Sequence, residues 1–152
     1  MDYMLVINLT KHASDCVFVV IDHFSRMAIL TPCKNNITSK STTKIFFKRV
    51  WVQFGAPHTT ISYQANRFFN TFWSSLWSQM GTKITKSTSF HLQIDWKIEV
   101  VNKMIVHILR IYNFKHPRTW DESLTYVQHS YNRVLHSSTY HNPLLGGKRK
   151  LN

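Results

Sequence analysis

CVFVVID, residues 16–22, is the stretch on which the fold turns. Four of its seven residues, Val17, Val19, Val20 and Ile21, are β-branched, and apolar side chains fall on both faces of any extended arrangement. The run is too short for a core helix and fits a strand covered on both sides, in the middle of a sheet. Working outward, Ser25 and Arg26 break the pattern and MAILTP, residues 27–32, resumes it. Upstream, residues 2–9 alternate loosely. Three strands joined by short turns are therefore expected at the front of the chain.

Helical spacing takes over next. Ser39 or Ser41 can cap a helix carrying Phe46, Phe47, Val50, Trp51 and Phe54, stopped by Gly55 and Pro57. Thr59, Thr60 and Ile61 suggest a short strand ending near Tyr63. Phe68, Phe69, Phe72, Trp73, Leu76, Trp77 and Met80 form one apolar helical stripe closed by Gly81, a pattern that belongs to a core. TKITKSTS, residues 82–89, fits an edge strand. A long helix over about 94–113 turns Ile98, Val101, Ile105, Ile108 and Leu109 inward. After Pro117, a last helix over about 120–136 carries Leu124, Val127, Tyr131 and Val134. The order β-β-β-α-β-α-β-α-α predicts an α/β domain with a mixed five-stranded sheet flanked by helices.

Composition narrows the partners. Nineteen Lys and Arg against seven Asp and Glu give a formal net charge of +12 in 152 residues. Such a field attracts polyanions and releases their counterions on contact, so nucleic acid is the expected partner, with an anionic membrane surface second. Aromatics at 14% exclude a disordered tail. Cys16 and Cys33 form neither a disulfide framework nor a zinc pattern, and no His/Cys spacing of a metal module occurs. No apolar run is long enough for a membrane span, and an intracellular setting, nuclear or cytoplasmic, is expected.

Several separated motifs then agree in order. DHFSRMA from Asp22, FFNTFW from Phe68, SFHLQIDWKIEVVNK from Ser89, Trp120-Asp121, and His129-Ser-Tyr-Asn-Arg with His136-Ser-Ser-Thr resemble the integrase catalytic core of gypsy-type LTR retrotransposons. The resemblance covers residues 2 to about 143 and leaves 144–152 as a basic tail. It implies a ribonuclease-H-like fold, DNA as substrate, and dimers of the core or pairing with an intact integrase. Zinc-binding and chromatin-binding modules usual in the family are not expected within this chain.

The resemblance also implies a chemistry. Three carboxylates hold two Mg²⁺ or Mn²⁺ ions, which activate a water or a 3′-hydroxyl and stabilise the oxygen leaving the scissile phosphate. Asp2 matches the first catalytic and metal-binding Asp, and Glu99 the Glu. The second Asp position, in a family segment like S-D-R-D, reads Ser62-Tyr63-Gln64-Ala65 here. A phenol with a pKa near ~10 brings no charge to a metal at pH 7. Asp2 and Glu99 alone leave room for one ion on a DNA complex, not for a working two-metal site. The family's Pro, Thr, Gly, Gln and Thr before the Glu are replaced by Leu92, Ile94, Trp96, Lys97 and Ile98, in what the resemblance makes an exposed loop. His91 and Gln93 match the family's loop and are expected to touch DNA, and Lys97 and Lys103, with Lys83, Lys86 and Arg110, are expected to form a basic strip that binds it. The expectation is a DNA-binding integrase core that has lost its catalytic set. Residual cleavage through Asp2 and Glu99, and a non-catalytic dimerisation module, are the alternatives.

Overall fold

The computed structural model describes residues 1–6, 8–62, 71–86 and 92–134, with backbone alone at 71, 72, 86 and 92–98. Strands β1 (Asp2–Leu5), β2 (Cys16–Ile21) and β3 (Ala28–Cys33) form an antiparallel meander. Pairs such as Tyr3↔Phe18 and Phe18↔Thr31 fix its register. As its apolar run demands, β2 is the central strand, with Cys16, Val17, Phe18 and Val19 all buried. Strands β4 (Thr59–Ser62) and β5 (Lys83–Lys86) pair in parallel. The Met1 amine donates to the Ile61 carbonyl at 2.7 Å and brings β4 beside the start of β1. Five strands occur in the expected order. Backbone pairing divides them into sheets of three and two, with that single bond at the join.

Helix α1 (Ser39–Phe46) continues through a π-helical turn, Phe47–Trp51, and a last helical turn, Val52–Phe54. Its cap is Thr38, whose Oγ1 accepts from the Ser41 amide, not Ser39 or Ser41. The π-helical turn shifts the helical phase. Phe46 and Val50 are buried, while Phe47 and Val52 face outward. Helix α2 (Thr71–Gln79) lays Trp73 and Trp77 flat on one another, ring centroids 5.1 Å apart, with Phe46 edge-on to Trp77 at 5.0 Å. Aromatic pairs of this kind contribute about 0.5–1.5 kcal/mol each beyond the area they bury. Gly81 ends this segment at φ +66, its amide reaching Ser78 and the Thr82 amide reaching Trp77. This is the two-bond closure that a left-handed residue permits.

Two apolar layers result. Met1, Tyr3, Phe18, Ile29, Phe46, Val50, Trp73 and Trp77 fill one face of the meander. Met4, Val17, Val19, Leu30, Ile105, Leu109, Trp120, Leu124, Val127 and Tyr131 fill the other. The second layer is built by helix α3 (Leu92–Tyr112) and helix α4 (Trp120–Arg133), separated by a 3-10 turn, Pro117–Thr119.

Three sequence expectations shift. Residues 92–98 are helical, so the exposed loop expected before Glu99 is the first two turns of α3. Gly and Pro cost a helix about 1 and 3 kcal/mol relative to Ala, and neither remains between Leu92 and Ile98. Helix α4 stops at Arg133, so Val134 is extended and 42% exposed, outside the core assigned to it. Thr38 supplies the α1 cap because its side chain precedes the first turn by the required three residues. The residues Phe68, Phe69, His136 and the basic tail 144–152 lie outside the described residues.

Candidate functional site

Three elements converge at the start of β1. Asp2 leads the strand, and its carboxylate accepts from the Tyr3 amide at 2.8 Å. Its other oxygen accepts from the Asn102 side-chain amide on α3 at 3.1 Å. Glu99 lies three residues before Asn102, hence on the same helical face and one turn away. Asp2 thus meets α3 at Asn102, one turn from Glu99. The third element is β4, held beside Met1 through Ile61 and ending at Ser62, after which the sequence continues with Tyr63.

The charges around this point are modest. Glu99 is exposed and forms an ion pair with Lys103, one turn further on, at 2.8 Å. An exposed pair of this spacing contributes only about 0.3–0.5 kcal/mol, so either partner can be drawn away. Burial lowers the Met1 amine pKa to about 6, against the opposing pull of the neighbouring Asp2 carboxylate. The amine is thus mostly neutral at pH 7 as it meets the Ile61 carbonyl. The Asn102 carbonyl oxygen is buried and has no hydrogen-bond partner among the described residues.

Metal binding can be tested on this donor set. Among the described residues no group of three His, Cys, Asp or Glu side chains is placed to hold a cation. Asp2 spends both oxygens on protein donors, Glu99 is turned to Lys103, and Asn102 adds a neutral oxygen at most. The described residues do not fit a two-metal centre, because paired dications repel unless several negative ligands converge on them.

Of the expected DNA contacts, Lys103 is exposed beside Glu99. Gln93 and Lys97 fall on the first turns of α3, with their side chains outside the described residues. Tyr63 and His91 also lie outside them. Lys83 and Arg110 are exposed, as a basic strip requires. Asp22, an acid at a strand end, is structural: its Oδ2 accepts from the Ser25 amide at 2.8 Å and the Ser25 hydroxyl at 2.6 Å, closing the turn into β3.

Sequence reading assigned no role to two asparagines inside its own motifs. Asn102, in EVVNK, ties α3 to Asp2. Asn132, in HSYNR, donates to the Ala28 carbonyl at 2.9 Å and accepts from the Ala28 amide at 2.8 Å. Gln128 accepts from the Leu30 amide at 2.8 Å. Four helical residues rise about 6 Å, and two strand residues about 6.6 Å. The Gln128/Asn132 spacing therefore reads the outer edge of β3 residue by alternate residue. An amide pair at that helical spacing, beside an edge strand, is the signal that was available.

No protein-family model matches the chain. It is 34% identical over 129 residues, 85% of its length, to the Transposon Tf2-3 polyprotein of Schizosaccharomyces pombe. It spans about a tenth of that relative's length. Among solved structures, the HTLV-2 integrase catalytic core domain in complex with magnesium, in trimeric form, superposes with a TM-score of 0.71. Identity is 16%, over 95% of this chain and 93% of that one. The catalytic core domain of BIV integrase gives 0.72 at 13% identity, over 97% and 95%. The chain is thus homologous to a segment of the Tf2 polyproteins, of the gypsy-type retrotransposons, and carries the ribonuclease-H-like fold of the integrase catalytic core.

Proposed function

We propose that the chain is a DNA-binding integrase core without metal-dependent cleavage or strand transfer. One observation carries this reading. β1, β4 and α3 come together around Met1, Asp2 and Asn102, and of the three positions that the family resemblance makes carboxylates the sequence provides acids at only two, Asp2 and Glu99, with Tyr63 after β4. Removing one of three negative ligands leaves about −2 facing roughly +4 from two dications, too little to hold both ions against their repulsion. The net charge of +12 and the exposed Lys83, Lys103 and Arg110 support retained attraction to phosphate.

The test pairs two measurements on one preparation. Binding to a duplex oligonucleotide is followed by anisotropy from 50 to 300 mM salt (assay settings, on the order of the range where phosphate contacts are lost). Cleavage of the same duplex is assayed with Mg²⁺ and with Mn²⁺. Binding that weakens steeply with salt, with no cleavage, is expected. Cleavage abolished by Glu99→Ala sinks the inactivity claim, and no binding at the lowest salt sinks the DNA claim.

A second reading, a self-association module, is favoured by one patch. Ile111, Tyr112 and Phe114 at the end of α3 are 64%, 53% and 87% exposed, and Leu5 is 64% exposed. Leu5 and Phe114 line one groove, and exposed apolar surface of this kind marks an interaction face more often than open solvent. Sedimentation of the chain beside Phe114→Ser checks it: a dimer that the substitution dissociates is expected, and a concentration-independent monomer refutes it.

A further inference from the structure

Away from the site, one pair of reactive side chains has no role in the function proposed above. Cys16 opens β2, Cys33 closes β3, and the ladder sets the two directly opposite each other. Both are buried and neither is in a disulfide. Spacing along the chain could not show this, because it is the β2–β3 register that brings 16 and 33 together.

The register also fixes the kind of pair. The Ala28 and Leu30 amides point away from β2, to Asn132 and Gln128, and Pro32 has no amide to offer. The alternate residues Ile29, Thr31 and Cys33 therefore turn their backbone groups toward β2, which makes Cys16↔Cys33 a hydrogen-bonded pair. Such pairs hold their Cα atoms about 5.5 Å apart, inside the range of about 4.4–6.8 Å that a disulfide spans. Both side chains enter one layer, with Phe18, Phe46 and Trp73. A hydrogen bond with the Cys16 thiol, ahead of burial, pushes the Cys33 pKa far above the usual thiol range, so the two sulfurs already meet.

We propose that Cys16 and Cys33 are an oxidation site, which a low-molecular-weight disulfide of the glutathione class converts to a cross-strand disulfide. One protein sulfur attacks the small disulfide, a mixed S–S bond forms, and one small thiol leaves with the proton. The second protein sulfur then attacks the first and displaces the other small thiol. Two protein thiols are oxidised and one disulfide is reduced to two thiols. The thiolate is the attacking form, so the paired, buried thiols react slowly while the strands stay closed. Both cysteines are end residues of their strands, where local opening costs least and admits the reagent. In a reducing compartment the pair stays a dithiol. Under an oxidising poise it staples the central strand to the edge strand β3. On β1, Leu5 and not Asp2 is the residue opposite Cys16, so the staple lies about 10 Å along the sheet from the candidate site.

The test equilibrates the chain, folded and in urea, with mixtures of oxidised and reduced glutathione. Each series starts from both the reduced and the oxidised chain and runs until the two converge. Acid quenching, alkylation and mass spectrometry then count dithiol, mixed-disulfide and internally linked chains, and peptide mapping locates the link. Folding holds the sulfurs together, whereas the unfolded chain must first lose loop-closure entropy. The equilibrium constant for the 16–33 link is therefore expected to be about tenfold or more greater in the folded chain than in urea. An equal or smaller constant in the folded chain, or products that are only mixed disulfides or links between two chains, overturns the site. Neither outcome depends on DNA binding or catalysis.

Discussion

Helices α3 and α4 lie side by side on the same face of the meander, yet they are fixed to it differently. α4 buries Trp120, Leu124, Val127 and Tyr131 to 2% exposure or less, and its Gln128 and Asn132 satisfy the backbone of the edge strand β3. Trp120 Nε1 adds a bond to the Asn8 carbonyl at 2.6 Å. α3 buries Ile105 and Leu109 in its second half, and at the site end, among the described residues, it is tied to β1 by a 3.1 Å bond from Asn102 to Asp2. There Glu99 and Val100 stand in solvent. The contrast separates two parts of one pair of motifs: α4 closes the scaffold, and the site end of α3 leaves Glu99 and Val100 exposed. On the reading proposed above, loss of an acid from the site would leave the closing contacts of α4 intact.

The contrast breaks most visibly at Trp120. Trp120→Ala removes a fully packed ring and an indole donor, and about 3–5 kcal/mol of stability is expected to go, read from the urea midpoint. Next comes Asn132→Ala, which strands the Ala28 amide and carbonyl at a covered edge. Buried unsatisfied groups cost about 1–3 kcal/mol each, so a loss of about 2–4 kcal/mol is expected, with faster exchange at Ala28. Equal stability of Asn132→Ala and the native chain would remove the edge-reading role.

Tyr131 sharpens the same point through pH. Burial raises its pKa from 10.0 to about 12, with Arg26 pulling the other way. An acid whose pKa is raised on folding favours the folded state below its unfolded pKa, and that contribution is lost as pH climbs from about 10 to 12. Two pKa units correspond to about 2–3 kcal/mol. Stability is therefore expected to fall over that window in the native chain and to fall less in Tyr131→Phe; parallel curves contradict it. The smallest effect belongs to the site end of α3. Asn102→Ala is expected to cost under about 1 kcal/mol, because Asp2 is only partly buried and water can replace the amide.

How far the sequence disclosed this follows the same division. Periodicity was enough for the strands around Phe18, the tryptophan stripe of α2 and the inward face of α4, since apolar spacing is what burial selects. It also placed the start of α3 at about 94, two residues from Leu92, where the motif laid over the same residues implied a loop: no Gly or Pro remains before Glu99 to interrupt the helix. It failed at Thr38, one and three residues upstream of the serines, Ser39 and Ser41, that looked like caps. Asp2 and Glu99 were legible only through resemblance, because an N-terminal acid and a helical Glu next to a Lys carry no signal alone. Asn102 and Asn132 were read as motif letters, their work being visible only once a helix lay against a strand.

The central claim is that two acids and a phenol cannot hold the ions this fold was built around. Calorimetric titration of Mn²⁺ into the chain bound to duplex DNA, beside Tyr63→Asp, addresses it directly. The account predicts no ion or one weakly held ion for the native chain, and a second ion once aspartate stands at 63. Two ions bound by the native chain with the stoichiometry and affinity of Tyr63→Asp would contradict it.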